Sequence, residues 1–284
     1  MRYGKFLPEK GTIGFVAPSF GCNIEPYRSA FINAQKIWEQ QGYGFSFGPN
    51  AYEGCGIGIS NTPQKCAEEF NDWYAKEDVD VLISCGGGEL MCEILPYIDF
   101  EKIRNSEPKW FLGYSDNTNL IFLLATLCDT AAIYGPCAAA FGMEPWHDSL
   151  KDAMGILKGN IKSVHNYEQW EKEGLKTEDN PLEPYNVTEK FQLRTWTAEK
   201  GLSIPDDISK KTDEIIQMEG RLLGGCLDCL SILCGTKFDQ VEQFNEKYKE
   251  DGILWFLESC DLNPMGIRRA LWQLDEAGWL KYTK

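Results

Sequence analysis

The chain has 284 residues and is acidic, with 43 Asp and Glu against 28 Lys and Arg and a formal net charge of −15. This length allows one large domain or two ordinary ones with a sizeable core. A protein that follows the nucleic-acid backbone needs a basic stripe. The sequence has none, so we expect no nucleic-acid partner.

Cysteine usage and the N-terminus indicate the cellular compartment. Eleven cysteines are scattered through apolar segments without a regular framework, which is typical of free, mostly buried thiols in a reducing cytoplasm. The charged N-terminus lacks the apolar region of a signal peptide, and no apolar run is long enough for a membrane span. Cys226 and Cys229 have C-x-x-C spacing, but no second pair stands near. We therefore expect neither a metal nor another cofactor.

In the N-terminal half, apolar runs that end in turn residues alternate with segments of helical periodicity. Strands are predicted at 12–19, 43–47, 79–84, 109–113 and 131–134, and the main helices at 26–41, 63–74 and 116–128. This alternation indicates βαβ units in an α/β fold with a doubly wound, flavodoxin-like parallel sheet. Sites in such sheets gather at the carboxyl ends of the strands.

After residue 163 the sequence loses the alternation of predicted strands and helices. We interpret the polar, proline-bearing stretch 164–214 as a linker and an insertion loop, because it shows little periodicity. The remaining stretch, 215–284, predicts a smaller C-terminal α/β domain that looks incomplete beside the N-terminal domain at 1–163. Its predicted elements are a helix at 226–233 preceded by a glycine-rich segment, a strand at 252–258, a helix at 264–276 and the start of a strand at 279–283.

Ser115 falls between the fourth predicted strand and the helix that follows it. A strand–serine–helix arrangement is typical of a nucleophile elbow, in which the hydroxyl is held out and the next N–H faces the oxygen of the attacked group. The usual G-x-S-x-G motif ends in glycine, whereas Asn117 stands here. A serine in this place can also be a helix N-cap, and the motif alone leaves both interpretations open.

Three glycines, Gly86, Gly87 and Gly88, follow the third predicted strand. They could cradle a phosphate, although the lysine of a P-loop and the G-x-G-x-x-G order are missing, or they could form a turn that needs positive φ. We favour a third interpretation, in which a loop N–H and the N–H of Asp116 form an oxyanion hole. The Asp116 carboxylate is not expected to be the general base, because the first helical turn stabilises its charge.

Glu258 ends an otherwise apolar predicted strand, where a carboxylate is either salt-bridged or catalytic. Trp170 and Trp196 lie in the polar insertion and could stack on a flat ligand or pack the loop onto the protein. His147 and His165 are expected in loops or helix caps rather than as bases, because neither ends a predicted strand.

Taken in order, motifs along nearly the whole chain resemble the LD-carboxypeptidase family of serine peptidases. The long insertion that carries Trp170 resembles that of the family's microcin-immunity branch. The motifs lie at 12–19, 85–88, 95–99, 109 with 113–116, 134–136, 220–225, 235–236 and 253–258.

The resemblance implies a Ser-Glu-His triad in a cytoplasmic, metal-independent homodimer. Ser115 falls on the nucleophile, Glu258 on the acid, and Asp116 with Gly87 or Gly88 on the oxyanion hole. Family members trim the terminal D-amino acid from murein peptides or, in the microcin-immunity branch, cleave an amide between an aminoacyl group and a nucleotide. We therefore expect a small peptide or an aminoacyl-nucleotide as substrate.

One departure from the family concerns the base. The family's histidine lies well beyond the glutamate, and no histidine follows Glu258 in this sequence. His147 and His165 do not match that position. Because a serine hydroxyl needs a base to become a good nucleophile, we expect the 284-residue chain to show little or no turnover. The alternative is a catalytically inactive protein that binds murein peptides or aminoacyl-nucleotides.

Overall fold

A central sheet of five parallel strands organises the N-terminal half of the molecule. The computed structural model describes residues 1–192 and 217–284. The strand order, β2-β1-β3-β4-β5, is that of a flavodoxin-like doubly wound sheet, which confirms the predicted fold class. The strands are β1 (Thr12–Val16), β2 (Gly44–Phe47), β3 (Val81–Ser84), β4 (Trp110–Gly113) and β5 (Ile133–Tyr134).

Two apolar cores cover the two faces of this sheet. Alternate residues of a strand point to opposite faces, so Ile83 of β3 packs in one core and its neighbour Leu82 in the other. The first core also holds Trp38, and the second holds Phe111. The helices of this half are α1 (Tyr27–Gln40), α2 (Pro63–Ala75), α3 (Phe100–Asn105), α4 (Thr118–Thr126) and α5 (Asp148–Leu157).

Two predicted elements differ from the structure around the fourth and fifth strands. The helix predicted from residue 116 starts as a 3₁₀ turn, Ser115–Asn117, before α4 begins. The fifth strand is shorter than predicted because Thr130 and Ala131 associate with Arg2 instead of β4. Arg2 bridges to Thr130, and the Ala131 N–H donates to the Arg2 carbonyl at 2.9 Å.

The C-terminal region contains a strand that the sequence interpretation missed. β8 (Arg221–Cys226) pairs in parallel with β9 (Ile253–Glu258). Glycine is uncommon in strands, but the structure requires one here, since a Cβ on Gly224 would lie 1.8 Å from the Phe256 carbonyl oxygen. The strand predicted at 279–283 is reduced to one bridge between Thr283 and Ile253. The helices are α6 (Leu227–Leu233), α7 (Val241–Lys247) and α8 (Pro264–Glu276).

The insertion also contains regular structure where only a loop was predicted. β6 (Gln169–Glu171) and β7 (Val187–Lys190) form an antiparallel pair with a register shift at Trp170 and Glu171. Both strands are short and largely exposed, so they show no apolar alternation in the sequence. The predicted domain boundaries near 163 and 215 stay predictions.

Helix α4 connects the sheet to the C-terminal elements. Phe122 of α4 stacks on Trp279 with ring centroids 5.1 Å apart, and Leu123 shares the same core with Leu227 and Leu230 of α6. The helix that directly follows Ser115 is therefore buried between two layers, which fixes its first turn. No helix in the described ranges is long and apolar enough to cross a membrane.

Candidate active site

Ser115 stands at the carboxyl end of β4 with its backbone in the left-handed region, at φ +60°. A non-glycine residue rarely adopts this conformation, and it persists only where neighbouring groups enforce it. Here the Ser115 N–H donates to the Tyr134 hydroxyl at 2.9 Å. The turn therefore has the sharp strand-to-helix geometry that the sequence predicts for an elbow.

Asn117 takes the place of the last glycine of the usual elbow motif. Its side-chain amide donates to the carbonyl oxygens of Gly86, at 2.8 Å, and Tyr114, at 3.0 Å. A Cβ on Gly113 would lie 2.7 Å from the Asn117 side-chain carbon, so Gly113 makes room for this amide. Asn117 therefore ties the serine turn to the glycine loop, a link that the motif comparison alone did not show.

The glycine loop lies directly against the serine. A Cβ on Gly87 would come within 3.3 Å of Ser115 Oγ, so a side chain at Gly87 would crowd the hydroxyl. Gly88 has φ +121°, and a Cβ there would lie 2.0 Å from the Ser19 hydroxyl oxygen. The structure thus brings together the serine and the loop that the sequence predicted to share one rim of the sheet.

The orientation of the loop peptide is fixed by one hydrogen bond. The Phe20 N–H donates to the Gly87 carbonyl at 3.0 Å. In a trans peptide the N–H points opposite to the carbonyl, so the Gly88 N–H points away from Phe20. Among the described residues, no backbone hydrogen bond is donated by the N–H of Gly87, Gly88 or Asp116. N–H donors of this kind beside a serine hydroxyl can stabilise an oxyanion.

The side chain of Asp116 is buried and hydrogen-bonded inside the protein. Its carboxylate accepts from the Ser19 hydroxyl, from the Met91 N–H at 2.8 Å and from the Asn119 amide at 2.9 Å. Burial raises the pKa of Asp116 against the effect of these donors. The carboxylate joins three segments around the elbow. Its raised pKa is opposite to the charge stabilisation expected from the first helical turn, because burial outweighs the donors. That Asp116 is not the general base stays a prediction.

Glu258 ends β9 and reaches the serine turn through Tyr134. The Tyr134 hydroxyl donates to Glu258 Oε1 while it accepts the N–H of Ser115. Burial raises the pKa of Tyr134, so the hydroxyl keeps its proton and remains a donor at neutral pH. Within the described ranges no Lys or Arg forms a salt bridge with Glu258.

Tyr134 was not among the site residues inferred from the sequence. It ends a predicted strand on the same rim as Ser115, directly before Gly135 and Pro136. Its position at a strand end on this rim was the one feature of the sequence that could have indicated a role for Tyr134 in the site. The contact itself could not be foreseen, because it depends on how the C-terminal strands pack against the sheet.

The two histidines lie in other surroundings. His147 is the N-cap of α5, and its Nδ1 accepts from the Ser149 N–H at 3.2 Å. His165 packs against the ring of Tyr167. Neither has a hydrogen bond to Ser115 or Glu258 in the described part of the chain. The interpretation of His147 as a helix cap agrees with the structure.

The insertion places Trp170 on β6 with about half of its side chain exposed. The residue lines an open depression together with Glu189, Lys190 and Phe191. Trp196 lies outside the described residues. A role for either tryptophan in substrate binding therefore stays a prediction. Among the described residues no group of three or more His, Cys, Asp or Glu side chains could hold a metal ion.

The sequence matches two known domain families. Residues 13–135 match the LD-carboxypeptidase N-terminal domain, and residues 219–284 match the LD-carboxypeptidase C-terminal domain. A putative carboxypeptidase of Vibrio cholerae is 32% identical over 151 residues, which cover 51% of this chain and 43% of that protein. The microcin C7 self-immunity protein MccF of Escherichia coli is 23% identical over 233 residues, which cover 80% of this chain and 62% of MccF. The chain thus spans less than two thirds of each relative.

Solved structures show the same fold. MccF in complex with glutamyl sulfamoyl guanosine matches with a TM-score of 0.75 at 20% identity, covering 99% of this chain and 77% of that one. A muramoyltetrapeptide carboxypeptidase from Oxalobacter formigenes matches with a TM-score of 0.63 at 20% identity, covering 96% and 74%. The two domain matches together span most of the sequence. The chain therefore belongs to the LD-carboxypeptidase family.

Proposed function

We propose that the protein is a serine hydrolase of LD-carboxypeptidase type that cleaves amide bonds in small peptides or peptide conjugates. The observation that carries this proposal is the left-handed backbone of Ser115 beside Gly87. A strained serine at a strand end, against a loop with unused N–H groups, is typical of nucleophile elbows in enzymes that catalyse acyl transfer. Family membership supports the same reaction class.

In the proposed reaction, Ser115 Oγ attacks the carbonyl carbon of the amide. The negative charge that develops on the carbonyl oxygen is stabilised by the N–H of Asp116 and by an N–H of Gly87 or Gly88. One donor of this kind contributes on the order of 10²-fold to 10³-fold in rate. The amine then leaves, and water releases the acyl group from the serine.

Glu258 is proposed to orient and charge-balance the histidine that takes the Ser115 proton. Tyr134 occupies one carboxylate oxygen of Glu258 and leaves the other to accept from an imidazole. Because neither His147 nor His165 lies at this site, we expect the 284-residue chain by itself to turn over slowly. An added imidazole should then restore part of the missing proton transfer.

Two substrate classes follow from the relatives. Solved structures of MccF hold glutamyl sulfamoyl guanosine and aspartyl sulfamoyl adenosine, and another neighbour is a muramoyltetrapeptide carboxypeptidase. We propose that this protein acts on an aminoacyl-nucleotide amide or a murein tetrapeptide in the cytoplasm, as a homodimer. The insertion with Trp170 and Trp196 is proposed to select between the two classes.

The positions of the histidines favour one alternative from another functional class. A protein that keeps the cleft but lacks a base at Ser115 could bind the same compounds without cleaving them. Binding of aspartyl sulfamoyl adenosine or murein tetrapeptide, with no cleavage under any buffer condition, would support this alternative.

Hydrolysis measured with and without imidazole distinguishes the two proposals. We expect the wild-type chain to cleave either a murein tetrapeptide or an aminoacyl-nucleotide amide slowly, and faster as imidazole is added. The Ser115→Ala variant should show no imidazole-dependent cleavage. If the wild-type protein binds these compounds but imidazole produces no cleavage above the Ser115→Ala level, the hydrolase proposal is wrong.

A further inference from the structure

Two cysteines that the proposed hydrolysis does not use lie beside the serine turn. Cys226 ends β8 and directly precedes α6, and Cys229 lies in the first turn of that helix. The side chain of a residue that precedes a helix reaches toward the third helical residue, and residues three apart share one side of the helix. The C-x-x-C spacing therefore places the two thiols within reach of each other.

Cys229 is in contact with the elbow itself. Its Sγ lies 3.9 Å from the carbonyl oxygen of Ser115 and 3.9 Å from Oδ1 of Asp116. Cys229 is partly buried, whereas Cys226 is buried, so Cys229 is the more exposed residue of the pair. Its sulfur is in contact with the backbone of the proposed nucleophile.

Cys226 is buried and contacts residues of three other segments. Its N–H donates to the Thr118 hydroxyl at 2.9 Å, and its Sγ lies 3.5 Å from Oδ2 of Asp228. Across the sheet it stands in register with Glu258 of β9. These contacts fix the backbone of Cys226, which lies about one helical turn before Cys229.

The two thiols differ in acidity. The neighbouring Cys229 thiol lowers the pKa of Cys226, although burial and Glu258 act in the opposite direction. The same pairing, followed by burial, raises the pKa of Cys229. Two neighbouring thiols with unequal pKa values are typical of C-x-x-C pairs that exchange between dithiol and disulfide.

We propose that Cys226 and Cys229 form a reversible oxidation site that closes to a disulfide in the presence of a peroxide. The sulfur of Cys229, the more exposed of the two residues, loses its proton as it attacks a peroxide oxygen, the O–O bond breaks, and the departing hydroxide takes that proton to become water. Cys229 is then a sulfenic acid. The Cys226 sulfur attacks the Cys229 sulfur, the S–S bond forms and a second water leaves. Two thiols lose two electrons, and the peroxide gains them.

A dithiol reductant reverses this chemistry by exchange. Neither step requires Ser115 to be a nucleophile, so the proposal stands apart from the proposed hydrolase function and its test concerns the thiols alone.

Peptide mapping of the peroxide-treated protein tests the proposal directly. Trypsin cleaves after Arg221 and Lys237, and the peptide between them carries Cys226, Cys229 and Cys234. After alkylation of the remaining thiols, we expect this peptide to have lost two hydrogens, with Cys234 alkylated. A dithiol reductant should restore all three thiols.

Two variants assign the bond. Cys234→Ser should keep the loss of two hydrogens, whereas Cys229→Ser should reduce it to background. An equal loss in Cys229→Ser would mean that Cys226 pairs with Cys234, and the proposal would be wrong. It would also be overturned if the wild-type peptide kept three thiols while the exposed Cys55 and Cys260 were oxidised.

Discussion

The Tyr134 hydroxyl donates a hydrogen bond to the Glu258 carboxylate and joins two strand ends that lie 124 residues apart in the chain. The same oxygen accepts the N–H of Ser115 at 2.9 Å. One side chain thus fixes the backbone of the proposed nucleophile and the carboxylate of the proposed triad acid. The contact with Ser115 lies within the N-terminal sheet, whereas the contact with Glu258 depends on the approach of β9 to β5. The acid therefore reaches the serine turn only when the C-terminal elements pack against the sheet.

Replacement of Tyr134 by phenylalanine removes both hydrogen bonds and keeps the ring. The Ser115 N–H then loses its acceptor, and an unpaired polar group of this kind costs about 1–3 kcal/mol. We expect Tyr134→Phe to lower the free energy of unfolding in urea by that amount. Tyr97→Phe is the matched control, since its exposed hydroxyl accepts, among the described residues, only from the Gln64 side chain. Equal stability of the two variants would contradict the account.

Gly87→Ala tests the close approach of the glycine loop to the serine. The added methyl group would lie 3.2 Å from the Cβ and 3.3 Å from the Oγ of Ser115, so the hydroxyl or the loop must shift. We expect the rate of Ser115 labelling by a fluorophosphonate to fall by about tenfold or more, which corresponds to ~1.4 kcal/mol in the barrier.

The control for this variant is Gly44→Ala in β2, where an added Cβ would meet only ordinary van der Waals contacts. Its labelling rate should equal that of the wild type. An unchanged rate in Gly87→Ala, with the fold intact by circular dichroism, would show that the loop does not face the reacting hydroxyl.

The buried carboxyl group of Glu69 predicts a pH dependence of stability. It accepts the N–H groups of Ala17, at 2.8 Å, and Asn50, at 2.9 Å. Burial nevertheless raises the pKa of Glu69 to about 7. The folded state therefore holds this proton more tightly than the unfolded state does. The resulting stability is complete below the unfolded-state pKa near 4.5 and is lost as the pH rises through about 7.

The rise of the pKa from 4.5 to about 7 corresponds to an effect on the order of 3 kcal/mol. We expect the free energy of unfolding of the wild type to fall relative to that of Glu69→Gln between pH 5 and pH 8. The variant should be less stable at low pH, because an amide NH₂ faces a backbone N–H. Parallel pH profiles for the two proteins would show that Glu69 does not titrate in this range.

Trp170→Ala tests the proposed contribution of the insertion to substrate binding. Loss of a stacking ring should weaken the binding of aspartyl sulfamoyl adenosine about tenfold, or ~1.4 kcal/mol. Trp272 is also largely exposed but lies on α8, so Trp272→Ala should leave the affinity unchanged. If calorimetry finds the same affinity for both variants, Trp170 does not contact this ligand.

The sequence was sufficient to predict the features that depend on local patterns. Strand and helix alternation predicted the parallel sheet, and the apolar run that ends at Gly113 predicted the position of Ser115 at its carboxyl end. Strand β8 was missed because Gly224 and Gly225 argue against a strand. Their role appears only when Phe256 of the neighbouring strand is seen against Gly224.

The part of the site that could not be predicted consists of contacts between residues far apart in the sequence. Tyr134 meets Glu258, and Cys229 meets the Ser115 carbonyl, across more than a hundred residues of chain. No periodicity or motif encodes which strand ends meet between two sheets. The roles of Ser115 and Glu258 as nucleophile and acid stay proposals that the geometry supports.

Ser115 is proposed to be a nucleophile that lacks only a base. The most direct measurement is the intact mass of the protein after reaction with a fluorophosphonate, with the adduct mapped by peptide sequencing. We expect one adduct, on Ser115, that forms faster as imidazole is added and is absent from Ser115→Ala. No adduct on Ser115 in the folded wild-type protein at any imidazole concentration would contradict this proposal.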